Sequence, residues 1–179
     1  MNYMLLDFFH FALELKKIPR KGWISKVGIK NPESVADHSY ATAIMAMVLS
    51  DNSKLDTEKV LKMSLLHDLA ESITGDFIPN EISKKDKKIL ENKAMKKIFG
   101  KLPPKLATQY SKVWQEYIQS KTKESIFLHE IDKLEMAIQA AKYSSEGFSN
   151  KKLRIFIETA RNKIKSKELL ELIDTISYK

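Results

Sequence analysis

A chain of 179 residues with a net charge of +8, no cysteine, five Gly and five Pro is long enough to bury a core and is expected to form one domain. The lack of cysteine excludes disulfides, thiolate metal sites and cysteine nucleophiles, and suits a reducing, cytoplasmic setting. No apolar run approaches the roughly 20 residues that a membrane span needs.

Lys, Leu, Ile, Ala and Glu are abundant and no segment alternates with period two, so the spacing predicts helix after helix, an all-α fold. The start carries Asp7 inside its apolar stretch and no basic leader, and reads as a helix from about Tyr3 to Lys17 rather than a signal peptide. It ends before Pro19, because the residue preceding proline is pushed out of the helical region. Two Pro and two Gly mark Ile18 to Glu33 as a loop. Ser34-Val35-Ala36-Asp37 forms a capping box that opens a second helix, running to about Ser50 and holding His38 near its first turn.

Asp56 or Thr57 caps the next helix, expected to carry Leu65-Leu66-His67-Asp68-Leu69-Ala70-Glu71 and to stop between Ser72 and Gly75. Ser83 to Asp86 opens a lysine-rich helix that Gly100 ends. Pro103-Pro104 starts another through Trp114 and Tyr117. A long helix follows from about Lys123 to Glu146, closed by Gly147, and a C-terminal helix runs from about 151 to 178 with a break near Ser166. Lys84, Lys85, Lys87, Lys88, Lys93, Lys96 and Lys97 are interleaved with Asp86 and Glu91. They read as a solvated helix face rather than a nucleic-acid groove, although a positive field also attracts small phosphorylated substrates.

Chemistry concentrates in a few residues. An imidazole beside a carboxylate on an apolar helix is costly unless something compensates the charge, and a divalent metal does so. The His67-Asp68 dipeptide alone arises easily by chance; its weight comes from His38 and Asp132 on other helices. A lone helix-start His38 needs no ligand role. Asp132 lies mid-helix between Ile131 and Leu134, where Asp is a poor helix former, although a surface ion pair would also account for it. Two His and two carboxylates suit Co²⁺, Mn²⁺, Fe²⁺, Mg²⁺ or Zn²⁺ without choosing among them.

Glu71 stands three and four residues after Asp68 and His67, on the same helical face. There a carboxylate can orient a water or carry its proton. Asp76 follows the helix end, at a cleft mouth or simply in a turn. In the loop, Arg20 offers a fork matched to phosphate oxygens, while Trp23 either stacks on a base or packs the loop onto the core. His129, three residues before Asp132, is the one extra ligand for a second metal, because His10 has no partner motif.

The runs Glu33-Ser34-Val35-Ala36-Asp37-His38-Ser39, His67-Asp68-Leu69-Ala70-Glu71 with Gly75-Asp76, and Ile131-Asp132-Lys133-Leu134-Glu135 resemble the HD-domain metal-dependent phosphohydrolases. Within that superfamily the chain is most similar to the small 5′-deoxynucleotidases and the HD domain-containing protein 2 group, from about Phe8 to Tyr143. The resemblance implies one divalent metal on His38, His67, Asp68 and Asp132, with Glu71 as the catalytic carboxylate. It also implies that Arg20 binds the substrate phosphate, that Asp76 binds the deoxyribose hydroxyl and that Trp23 borders the nucleoside. The expected protein is a cytoplasmic homodimer that removes phosphate from deoxynucleoside 5′-monophosphates. The loop departs from the bacterial enzymes, in which the Arg and Trp are adjacent; here Lys21 and Gly22 intervene. Two other readings remain: a metal enzyme acting elsewhere, as an HD-type hydrolase of cyclic nucleotides or guanosine alarmones or as a dinuclear oxygenase, and a non-enzymatic basic helical module that binds nucleic acid.

Overall fold

The structure, a computed structural model, describes residues 2–176. It is helical throughout: α1 (Asn2–Glu14) with a 3₁₀ turn at Leu15–Lys17, α2 (Lys21–Val27), α3 (Val35–Asp51), α4 (Thr57–Leu66), the short α5 (Glu71–Thr74), α6 (Lys84–Phe99), α7 (Pro104–Gln119), α8 (Lys123–Ser145), α9 (Asn150–Lys163) and α10 (Lys167–Asp174). Among the described residues there is no β-strand, only the isolated bridges Pro19–Ser34 and Pro79–Ile82. The expected reach of the C-terminal helix to 178 falls partly outside the described residues.

The helix starts follow the capping logic of the sequence. Ser34 Oγ accepts from the Asp37 amide at 3.2 Å while Asp37 returns its carboxylate to the Ser34 amide at 2.8 Å. Pro104 sits at the head of α7. α8 is the central helix, packed against α3, α4, α7, α9 and α10. Its Leu128, Ile131, Leu134, Ala137 and Ala140 are buried at helical spacing. Glu130 on the same helix turns its carboxylate to the Lys165 amide at 2.8 Å, at the break between α9 and α10.

Two departures from the expected elements bear on the site. Residues 21–27 are not loop but helix: Gly28 ends α2 in the left-handed region at φ 88°, its amide reaching back to Trp23 and Ile24. The burial of Trp23 holds this turn down despite its two flanking breakers. The helix carrying His67 also stops early. At Leu66 the chain passes into turns whose amides bond three residues back, Leu69 to Leu66, Glu71 to Asp68 and Ser72 to Leu69. The His67 ring takes part in the break by hydrogen bonding the Ser64 carbonyl at 2.5 Å. His67 and Asp68 therefore sit at a helix end, where side chains can converge on a point outside any one helical face.

Candidate metal centre

α3, the end of α4 and α8 bring His38, His67, Asp68 and Asp132 together from positions up to 94 residues apart. His38 Nε2 lies 3.4 Å from His67 Nε2, 3.3 Å from Asp132 Oδ1 and 3.6 Å from Asp68 Oδ2. Asp68 Oδ2 is 3.2 Å from His67 Nε2. The atoms that His38, His67 and Asp132 offer lie within 4.8 Å of one another. His38 and His67 are buried, at 0% and 4% exposure, while both carboxylates keep an edge toward solvent.

The ring nitrogens facing away from the cluster are already committed. His67 Nδ1 must donate, because its partner is the Ser64 carbonyl. His38 Nδ1 lies 2.6 Å from Glu135 Oε2, with Glu135 itself 1% exposed. In their neutral forms both rings then present Nε2 lone pairs to each other and to two carboxylates, with no donor placed between the rings and the carboxylate oxygens they face. A proton relieves part of this mismatch. Burial and Arg20 disfavour the His38 imidazolium, but bonds to Asp132 and Glu135 prevail and push it up to about 10. A divalent cation relieves all of it, accepting both lone pairs and neutralising both carboxylates, so the residues present fit such an ion.

Arg20 precedes α2 and is positioned by backbone pairing of its amide with the Glu33 carbonyl at 3.0 Å. Its Nη1 lies 3.5 Å from Asp68 Oδ2. Although burial opposes the charge, Asp68, Asp132, Asp76 and Glu71 keep the guanidinium firmly protonated. Against burial, His67, His38 and Arg20 hold the Asp68 carboxyl far below its usual range. Asp132 is likewise depressed, by Lys133 and His38 against burial. Lys133 Nζ takes Asp132 Oδ2 at 2.9 Å, leaving Oδ1 for the cluster.

Glu71 is 2% exposed and its Oε2 has no hydrogen-bond partner. Burial, reinforced by Asp68 and Asp76, raises its carboxyl well above the ordinary range. Lys87 approaches its Oε1 at 3.8 Å and Glu91 at 3.4 Å, so this one lysine of α6 is half-buried at the site rather than on the solvated face expected for it. Lys84, Lys85, Lys88, Lys93, Lys96 and Lys97 are exposed. Gly75, at φ 73°, turns the chain out of α5 through a region closed to most side chains. Asp76 follows, and its Oδ2 accepts the Lys21 amide at 2.7 Å, tying down the start of α2.

Trp23 does not line an open cleft. Its ring is 1% exposed, 4.0 Å from the Phe156 ring centroid and 5.1 Å from that of Tyr143, and its Nε1 donates to Glu33 at 2.8 Å. An indole so enclosed has no face to offer a base. His129 is also turned away from the cluster: its Nε2 meets the Tyr117 carbonyl at 3.1 Å and its ring stacks on Tyr117. His10 is exposed on α1.

Two residues around His38 belong to the sequence runs above but carry no expected role there. Glu135 stands one helical turn beyond Asp132. Glu33 offers a carboxylate oxygen within 4.8 Å of the atoms of His38 and Glu135. Burial and Glu135 raise the Glu33 carboxyl to about 7, against lowering by Trp23, His38 and Arg20. The available signal was a glutamate at i+3 from Asp132, between Leu134 and Met136, on a face that also carries Leu128 and Ile131.

The HD domain family model matches residues 12–173. The human protein named 5′-deoxynucleotidase HDDC2 is 34% identical over 173 residues, covering 96% of this chain and 84% of that one. The Dictyostelium discoideum protein of the same name is 38% identical over 173 residues, covering 90% of each. Among solved structures, a conserved hypothetical protein from Pyrococcus furiosus superposes with a TM-score of 0.76 at 33% identity, covering 96% of this chain and 98% of that one. A predicted metal-dependent phosphohydrolase from Magnetospirillum magnetotacticum gives 0.73 at 26% identity, covering 97% and 89%. The resemblance borne by the three sequence runs thus extends over the chain, which belongs to the HD domain family.

Proposed function

We propose that this protein is a metal-dependent 5′-deoxynucleotidase that releases phosphate from deoxynucleoside 5′-monophosphates. The observation that carries the reading is the convergence of two Nε2 lone pairs and two carboxylates, each imidazole anchored through its other nitrogen. The names of the relatives supply the substrate class. His38, His67, Asp68 and Asp132 would hold one divalent ion, which the donor set leaves open among Co²⁺, Mn²⁺, Fe²⁺, Mg²⁺ and Zn²⁺. What such an ion contributes when bound is Lewis acidity, polarising a phosphoryl oxygen and making water more acidic.

The chain's own residues do the rest. Arg20, fixed beside Asp68, presents its guanidinium to the phosphate and balances charge that grows on the phosphoryl oxygens during displacement. Glu71, with a free buried oxygen and a raised proton affinity, takes a proton from the attacking water and returns one to the leaving 5′-oxygen. Asp76 uses Oδ2 to hold α2, leaving Oδ1 for the deoxyribose hydroxyl. Trp23 serves from the core, seating the helix that begins beside Arg20.

The reading extends to one domain over the whole chain and to a cytoplasmic homodimer. α3 exposes Tyr40, Ile44 and Val48 in a row at i, i+4 and i+8, an apolar edge suited to a second copy. Light scattering at micromolar concentration tests the assembly; a monomer throughout would refute it. No helix among the described residues is long and apolar enough to cross a membrane.

The activity test is phosphate release from deoxynucleoside and ribonucleoside 5′-monophosphates by metal-stripped protein given Co²⁺, Mn²⁺, Mg²⁺ or Zn²⁺. Metal-dependent release from the deoxy series, with ribonucleotides and 3′-monophosphates spared, is expected. Silence over the panel would overturn the assignment, and turnover of cyclic nucleotides or alarmones instead would replace it.

A further inference from the structure

α8 grips both edges of one imidazole. Asp132 faces His38 Nε2 at 3.3 Å, and Glu135, three residues on and therefore on the same helical face, faces Nδ1 at 2.6 Å. A glutamate at 1% exposure is expensive to keep charged, and a role confined to packing would be met as well by Leu or Met. Its one hydrogen-bond partner among the described residues is the His38 ring.

Glu33 stands beside the pair, with a carboxylate oxygen within 4.8 Å of the His38 and Glu135 atoms, and is held by the Trp23 N–H. An imidazole whose Nδ1 gives its proton to a carboxylate has a single neutral tautomer left, with the lone pair on Nε2. The same contact increases the electron density of that lone pair.

We infer that Glu135 is a positioning residue for His38: by accepting the Nδ1 proton it fixes the tautomer and ring orientation that turn the Nε2 lone pair toward Asp132, Asp68 and His67. The inference rests on the metal reading proposed above and names a residue that sets the affinity of that site without touching the ion.

The test is calorimetric titration of the metal-stripped full chain with MnCl₂ and with CoCl₂, for wild type, Glu135→Gln and Glu135→Ala, alongside thermal unfolding of each metal-free protein. Glu135→Ala is expected to weaken binding by about tenfold to a hundredfold at unchanged stoichiometry. Glu135→Gln should recover part of the loss, because its amide oxygen still accepts from Nδ1 but without charge. The visible absorption of bound Co²⁺ should shift in the Ala variant as the ring loses its orientation. If Glu135→Ala does not fold, the Gln variant decides, since it preserves shape. Dissociation constants equal to wild type in the folded variants, with only the metal-free melting temperature lowered, would reduce Glu135 to a structural role and overturn the inference. A wild type that binds neither ion would instead overturn the metal reading itself.

Discussion

Substitution of Trp23 separates two roles that the sequence allowed for the same side chain. A ring bordering the nucleoside would, when removed, weaken substrate binding and leave the fold intact. The structure assigns the opposite balance. The ring lies against Phe156 and Tyr143, and its N–H satisfies the half-buried Glu33 carboxylate. Removing a buried Trp to Ala costs about 3–5 kcal/mol. Leaving Glu33 without its donor adds roughly 1–3 kcal/mol. That sum approaches the whole stability of an ordinary domain, about 5–15 kcal/mol, so Trp23→Ala is expected to fold poorly.

Trp23→Phe gives the quantitative reading. It keeps a ring against Phe156 but removes the donor and part of the ring volume, for a combined cost of about 2–4 kcal/mol. At roughly 2–4 °C per kcal/mol for a chain of this size, the melting temperature should fall by about 5–15 °C. Urea unfolding monitored by far-UV dichroism, with a lower midpoint at unchanged slope, would measure it. The KM for a deoxynucleoside 5′-monophosphate should change much less than stability does. A Phe variant within about 0.5 kcal/mol of wild type, with KM raised several-fold, would refute the core assignment and return the indole to the nucleoside.

Three further outcomes are expected. Glu71→Gln should lower kcat by about 10²–10⁴-fold while the metal-free protein melts no lower than wild type, since the burial that disfavours the carboxylate charge no longer acts on it; a variant with normal kcat would remove Glu71 from the chemistry. Lys59 bridges Glu116 at 3.0 Å and Glu124 at 3.1 Å. Glu124, despite burial, is lowered from 4.5 by hydrogen bonds that include Lys59. Its contribution is therefore present above that value and lost as pH falls through the folded-state value. Lys59→Met should cost about 0.2–1 kcal/mol more at pH 7 than at pH 3, and equal losses at both pH values would contradict the assignment. Glu130→Ala removes the acceptor of the Lys165 amide and should destabilise by about 1–3 kcal/mol, with hydrogen exchange accelerating first in α10; uniform acceleration along the chain would argue against that local role.

What the sequence determined by itself is the part encoded in short spacing. Ser34 and Asp37 are three residues apart and cap α3 wherever it packs, which sets His38 one turn into a helix without any tertiary contact. Pro104 and the cap at Ser83 set α6 and α7 in the same local way. His67, Asp68 and Asp132 stood out because polar groups on apolar stripes need a reason, and the structure brings them together with His38.

Tertiary structure decided what depends on partners far along the chain. Trp23 is anchored by Phe156, 133 residues on, and that burial turned an expected loop into α2. Which nitrogen of His38 faces the cluster is set by Glu135, 97 residues away. The break after Leu66, which aims His67 and Asp68 at one point, leaves no mark in a run whose apolar spacing reads as continuous helix. Lys87 looked like its lysine neighbours until α5 packed against α6 and put a buried carboxylate within reach of its ammonium. Local propensity acts over about one helical turn; burial and electrostatic pairing act between helices, and no pattern along the chain specifies which groups they will bring together.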